Sequence, residues 1–315
     1  MEFLLNFLLL VVSIAVLIWG ADKFVNNSSI IAKNIGVSEL TIGLTVVALG
    51  TSAPEIFVGI SSIINQSEAI AIGTVVGSNI SNIALIFGVS CIGISMKSHK
   101  TPFVQFIPFV LSALFLGFAL FDLVISPLES FLLLFVFFYF LYVIYKNKNN
   151  KTSHQEPTET NISFIIVMLL IGLISLVVGS NYAVIYAEKI ANLLEISELV
   201  IGLTIVAIGT SLPELAATIS AIVKKKTDMV VGNVIGSNVL NITLVIPIIG
   251  IFSNIKIDSI LLERDYLIMI ILTLIFALIA LVYSAKNISI VFIRVLGLIL
   301  VCAYFGYIFS LSNLI

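Results

Sequence analysis

Charge is scarce in this 315-residue chain. Asp, Glu, Lys and Arg together make up 10% of it, 60% of the side chains are hydrophobic, and the mean hydropathy is +1.23. That balance excludes an ordinary soluble domain and leaves no basic stripe for a nucleic acid to follow. Histidine is nearly absent. His99 and His154 both fall in polar connections, so neither a zinc-type centre nor a His-activated nucleophile has its usual residue inside the apolar segments. The two cysteines, Cys91 and Cys302, lie in separate apolar runs and read as small buried hydrophobes, not as a disulfide. Long polar stretches are missing too. The longest, 146–161, is too poor in apolar residues to fold alone and reads as a cytoplasmic connecting loop.

What is present in abundance is apolar sequence. A helix needs roughly 20 residues to cross a ~30 Å hydrocarbon core, and runs of about that length occur at 3–20, 39–64, 69–95, 103–121, 124–145, 162–182, 197–223, 228–252, 266–283 and 288–312. The chain is therefore read as an all-α integral membrane protein with ten transmembrane helices. Glu2 stands where a signal peptide carries positive charge, so the first run is expected to be a retained helix. With the N-terminus outside, Lys23, Lys33, Lys97, Lys100, Lys146, Lys148, Lys151, Lys224, Lys225, Lys226, Lys286 and Arg294 face inward, and Lys189, Lys256 and Arg264 outward. Twelve against three satisfies the positive-inside rule and predicts a multi-pass protein of the plasma (inner) membrane with both termini outside. The run 224–228, KKKTD, reads first as a topology signal, with contact to anionic lipid as a secondary role.

The chain is written twice. At an offset of 159 residues, SELTIGLTVVALGTSAPE (38–55) aligns with SELVIGLTIVAIGTSLPE (197–214), identical at 14 of 18 positions. The same offset aligns GTVVGSNISNIAL (73–85) with GNVIGSNVLNITL (232–244), identical at 8 of 13. Residues 1–145 and 162–315 are thus two halves of five spans each, joined by 146–161, with the duplicated segments at about 38–89 and 197–248. An odd number of spans makes the second half enter from the opposite side, which predicts an inverted pair whose discontinuous central helices meet near the midplane.

The most alike segments are also the most polar ones inside the membrane. Glu55 and Glu214 are the acids deep within spans, where an ionised side chain costs roughly 2.5–3.5 kcal/mol on insertion scales, and no intramembrane Lys, Arg or His is available to pair with them. A cation from solution is the remaining partner. Pro54 and Pro213 remove the helical donors of the Gly50 and Gly209 carbonyls and open those turns, leaving oxygens that could serve as ligands. Thr51 and Ser52 lie on the face of Glu55, and Thr210 and Ser211 on that of Glu214. Ser78 with Asn82, and Ser237 with Asn241, add hydroxyl and amide oxygens four residues apart. Carboxylates, carbonyls, amides and hydroxyls without nitrogen or sulfur ligands suit Ca²⁺, which takes about 6–8 oxygens. A single Ser or Thr in a helix ordinarily bonds the carbonyl one turn back. Repetition at a fixed offset beside an acid favours the ligand role instead. Gly43, Gly50, Gly73 and Gly77 serve either close helix packing or the kink.

GTSAPE with GSNISN, repeated as GTSLPE with GSNVLN, resembles the two alpha-repeats of the cation/calcium antiporter superfamily, most closely its sodium/calcium exchanger branch of microbial type. The resemblance runs over the whole chain. It implies alternating access, with Ca²⁺ and Na⁺ as transported substrates occupying one central four-helix cavity at different times and no organic cofactor. By position, it implies that Glu55 and Glu214 ligate both ions and that Thr51 and Thr210 offer carbonyls to calcium. It also implies that Ser52, Ser78, Ser211, Ser237, Asn82 and Asn241 help form sodium sites, and that Ala48 and Ala207 give further carbonyls. Some branches, among them the potassium-dependent exchangers, carry aspartate where Asn241 stands. The neutral residue lowers the central negative charge and argues against potassium co-transport. Exchange of three Na⁺ for one Ca²⁺ would move one net charge per cycle. Exchange of another cation such as H⁺ for Ca²⁺ is the runner-up, ahead of a cation channel; an intramembrane hydrolase lacks a base near Ser52 or Glu55. The expected partners are membrane lipid and the ions, with a monomer as the simplest assembly.

Overall fold

The computed structural model describes residues 2–65, 68–93, 103–147, 161–195, 207–252, 255–285 and 289–312. Residues 196–206, which open the second duplicated segment, lie outside the described residues, as do His99 and His154.

Helix starts follow from local chemistry. Helix α1 (Glu2–Asn34) is followed by α2 (Glu39–Thr51), which opens where the Ser38 hydroxyl accepts from the Thr41 N–H at 3.1 Å. After a break at Ser52 come α3 (Ala53–Asn65), α4 (Ala71–Gly93), α5 (Phe103–Ala119) and α6 (Pro127–Asn147). Helix α6 begins with a reciprocal cap: the Ser126 N–H donates to Glu129 Oε2 at 2.7 Å, the Glu129 N–H to Ser126 Oγ at 3.4 Å, and Pro127 occupies the first helical position. Helix α7 (Ile162–Leu193) is capped by Asn161. A single turn, Ala207–Gly209, precedes α8 (Leu212–Val223), followed by α9 (Thr227–Phe252), α10 (Leu267–Ala285) and α11 (Ile290–Ser312). Among the described residues six helices are long and apolar enough to cross a membrane, and seven if α2 and α3, bent by 44° at their junction, make one span.

Burial sorts these helices into two groups. The apolar windows of α4 and α9 are each 83% buried, against 22% for α1, 28% for α7 and 22% for α11. Helices α4 and α9 therefore form the centre, and α1, α7 and α11 present Leu, Ile and Phe outward, as helices facing lipid do. The Pro127–Asn147 helix likewise exposes Phe131, Phe135 and Phe138.

Helices α1 and α7 pack backbone to backbone. A Cβ on Gly179 would lie 2.6 Å from Leu17 N, one on Gly172 2.6 Å from Phe24 N, and Gly20 meets Leu176 N in the same way. Only glycine permits this approach. Leu17 and Leu176, and Gly20 and Gly179, are equivalents at the 159-residue offset, so the contact is reciprocal.

Three features differ from the sequence reading. Helix α1 continues from the apolar run ending at Gly20 to Asn34, because its polar second half is buried: Ser28 and Ser29 are almost fully covered, and Ser29 donates to Glu39 Oε1 at 2.8 Å. The chain is not wholly α, since β1 (Val124–Ile125) pairs antiparallel with β2 (Ile255–Lys256), Val124 opposite Lys256. Cys91 is buried but Cys302 is exposed on α11; both are free.

Candidate cation site

The polar break between α2 and α3 sets the first half of the site. Ser52 takes φ −81°, ψ 5°, and α3 starts afresh behind it, so Glu55 falls in a helical first turn. Ser211 (φ −94°, ψ 4°) ends the single turn before α8 and places Glu214 in the first turn of that helix, with Pro213 beside it. Both carboxylates thus sit at helix N-termini, where unsatisfied N–H groups and the helix dipole favour negative charge. Each is nearly inaccessible, at 2% and 1% exposure.

The two acids belong to one cluster. Ser78 Oγ donates to Glu55 Oε1 at 3.1 Å, and Ser52 Oγ donates to Glu214 Oε1 at 3.4 Å, across the two halves of the chain. Glu214 lies within electrostatic reach of Glu55 and of the Thr51 hydroxyl. Thr51 Oγ1 also donates to Asn233 Oδ1 at 3.3 Å and approaches the Ala48 carbonyl at 3.4 Å. Other buried hydroxyls such as those of Ser90, Ser112, Thr243 and Thr273 instead bond carbonyls one turn back in their own helices.

Several of the expected residues carry buried oxygens without partners. Glu55 Oε2, Glu214 Oε2, Asn82 Oδ1, Ser211 Oγ, Ser237 Oγ and Asn241 Oδ1 are all buried and without a hydrogen bond. An orphaned buried polar atom costs about 1–3 kcal/mol, more for a charged one, so the two carboxylate oxygens above all call for something to bind them. Among the described residues no group of three or more His, Cys, Asp and Glu could hold a metal. The donors are two carboxylates and neutral oxygens, a set for hard cations.

Of the residues expected here, Ala48, Thr51, Ser52, Glu55, Ser78, Asn82, Ser211, Glu214, Ser237 and Asn241 are buried at the centre. Thr210 is half-buried, and Ala207 opens the single turn before α8. One freed carbonyl is engaged: Gly209 O accepts from Ser180 Oγ of α7 at 3.2 Å, which takes one of its two lone pairs. Gly43 serves close packing, with a Cβ there 2.6 Å from Met229 O; Gly73 does not, its nearest described neighbour being 3.9 Å away.

Sequence reasoning passed over Asn79, Asn233 and Asn238. Asn79 Nδ2 donates to the Asn238 carbonyl at 3.4 Å, and Asn241 Nδ2 donates to Asn79 Oδ1 at 3.3 Å, which ties α4 to α9 beside the carboxylates. The signal was in the duplicated GSN triplets, where Asn79 and Asn238 are equivalents. Two π-helical segments, Asn82–Phe87 and Asn241–Val245, begin on the paired asparagines. Such bulges re-aim side chains and are frequent at functional sites.

A buried carboxylate pair in a helical membrane bundle, each acid keeping an unpartnered oxygen, fits a membrane protein that handles cations. The family model for the sodium/calcium exchanger protein matches residues 5–146 and 164–312. The chain is 34% identical over 282 residues to inner membrane protein YrbG of Escherichia coli (strain K12), covering 86% of this chain and 87% of that one. It is 37% identical over 290 residues to sodium/calcium exchanger MaX1 of Methanosarcina acetivorans, covering 78% and 83%. The solved sodium/calcium exchanger from Methanococcus jannaschii superposes with a TM-score of 0.83 at 32% identity, over 97% of this chain and 98% of that one. A structure of the exchanger NCX_Mj soaked with Na⁺ and Ca²⁺ superposes with a TM-score of 0.82 over the same shares. The chain belongs to the sodium/calcium exchanger family, whose members are transporters and not enzymes, and it is a multi-span membrane protein.

Proposed function

We propose that this protein exchanges Na⁺ for Ca²⁺ across the plasma (inner) membrane by alternating access at the Glu55–Glu214 site. The observation that carries the reading is that two buried carboxylates, one from each half of the chain, are brought together by the Ser52–Glu214 bond and each keeps an oxygen without a partner. Two glutamates bring about two negative charges, which one Ca²⁺ or two Na⁺ would balance. The ions compete for one set of oxygens. Glu55 and Glu214 serve both, with the Thr51, Thr210, Ala48 and Ala207 carbonyls turned to calcium and Ser52, Ser78, Ser211, Ser237, Asn82 and Asn241 completing sodium sites. Three Na⁺ per Ca²⁺ would move one net charge, worth about 2.3 kcal/mol per 100 mV, so an inside-negative potential would drive calcium outward.

The architecture we propose for this cycle has ten spans in two inverted halves, both termini outside, with a discontinuous helix of each half meeting its counterpart near the midplane. The reciprocal Gly20–Leu176 and Gly179–Leu17 contacts support a two-fold relation between the halves. The π segments starting at equivalent asparagines support it further. The test is ⁴⁵Ca²⁺ uptake into proteoliposomes. The exchanger reading predicts uptake that requires an outward Na⁺ gradient and responds to an imposed potential; uptake driven equally by a proton gradient without Na⁺ would replace it with proton/calcium exchange.

A further inference from the structure

The lysine run 224–226 has no part in the cation site, yet its first member, Lys224, closes one end of a groove. Between α1 and α8 a cavity of about 320 Å³ is walled by Leu17 and Ile18 on one side and by Leu212, Ala216, Ile219 and Val223 on the other. Asp22 and Lys224 stand at its mouth, where Lys224 Nζ lies 2.6 Å from Asp22 Oδ1 and donates to the Asp22 carbonyl at 3.1 Å. From Leu212 to Lys224 the groove follows α8 for about 18 Å at 1.5 Å per residue, a little over half of a ~30 Å hydrocarbon core. It is as deep as one leaflet. A helix about 10 Å across would need several times its volume over that length, so a partner helix does not fit.

The polar end carries surplus positive charge. Lys33, Lys224, Lys225 and Lys226 lie at this end with Asp22, Glu39 and Asp228; Lys224 pairs with Asp22 and Glu39 faces Lys226, so four lysines stand against three acids. The turn after α8 fixes two of them: Lys226 N–H donates to Ala221 O and Lys225 N–H to Ile222 O, both at 2.8 Å, with Lys225 at φ 59°. That position in a Schellman turn ordinarily belongs to glycine. The turn holds Lys225 exposed and Lys226 half-buried.

We propose that this groove holds an acyl chain of an anionic phospholipid whose phosphate sits against Lys225 and Lys226. An apolar slot of leaflet depth accepts the chain, and Lys225 and Lys226, in the turn that follows Lys224 at the mouth, select the headgroup. The groove's inner end is Leu212, two residues before Glu214, so its occupant packs on the helix that carries one of the two buried acids.

Trp19, the single tryptophan, adjoins Ile18 and is 45% exposed, which provides the probe. The full chain is placed in vesicles of phosphatidylcholine containing dibrominated phosphatidylglycerol or dibrominated phosphatidylcholine, and quenching of Trp19 gives their relative binding constants. Each lysine near a membrane surface contributes about 1 kcal/mol, or about fivefold. Wild type should prefer phosphatidylglycerol by at least fivefold. Lys225→Gly with Lys226→Gln should bring the ratio close to one, and glycine suits the backbone at 225, so unfolding does not account for the loss. Ala216→Phe, which fills the groove, should abolish the preference with the lysines intact. A wild-type ratio of one, or a ratio unchanged in either variant, overturns the proposal.

Discussion

Replacing Gly236 with alanine tests how the cation site is held together. Gly236 lies on α9 one residue before Ser237, and an added Cβ would come to 2.6 Å from Ala48 Cβ and 2.7 Å from the Leu44 carbonyl oxygen. The carbonyl belongs to α2 backbone and cannot rotate away. Restoring an ordinary contact of about 3.4 Å therefore requires α2 and α9 to part by roughly 0.7 Å. That separation moves Ala48, Thr51 and Ser52 away from Ser237 and Asn241. Ca²⁺–oxygen distances span only about 2.3–2.6 Å, so at the proposed site the shift would exceed what the ion tolerates. Overpacking of this kind costs about 1–3 kcal/mol of stability. Gly236→Ala should lower the melting temperature and weaken calcium binding at least tenfold by isothermal titration. Gly306→Ala on α11 is the control, because nothing lies within 4 Å of its Cβ. A Gly236→Ala protein with wild-type melting and affinity would refute the claim that close α2–α9 approach sets the ligand geometry.

Two further outcomes follow from groups outside the ligand set. Ser180→Ala strands the Gly209 carbonyl in the turn before α8 and should cost about 1–3 kcal/mol in thermal or denaturant unfolding, whereas Ser163→Ala on the exposed start of α7 should not. Burial lowers the pKa of Lys226 from 10.5 to about 8, with Glu39 and Asp22 opposing that shift and Lys224 and Lys33 reinforcing it. Between those values the unfolded chain holds more protons than the folded one, so this residue's contribution to stability rises with pH from about 8 to 10.5. Lys226→Met should flatten that rise in a pH series of melting curves; an unchanged slope would assign it to another group.

The duplicated motifs made the buried polar residues readable in advance. A residue of a duplicated segment occurs twice in the chain, so Glu55 with Glu214, Ser78 with Ser237 and Asn82 with Asn241 were visible as pairs before any geometry was known, and all six are buried. Features that depend on tertiary partners were not visible. Hydropathy ended α1 at Gly20 because Asn26, Asn27, Ser28 and Ser29 look soluble, although the last three are buried against neighbouring helices. The capture of the Gly209 carbonyl by Ser180 joins residues of two different helices and leaves no local trace. Asn79 and Asn238 were present in the repeats but looked like spacers, since their work is to tie α4 to α9. The π segments carry no period that a helical or strand pattern would reveal.

The central claim is that two carboxylates from opposite halves share one cation. Calcium binding by isothermal titration to purified Glu55→Gln, Glu214→Gln and the double variant tests it most directly. If the acids share the ion, each single change abolishes measurable calcium binding and the double change adds nothing further. Retention of near wild-type calcium affinity by either single variant would contradict it.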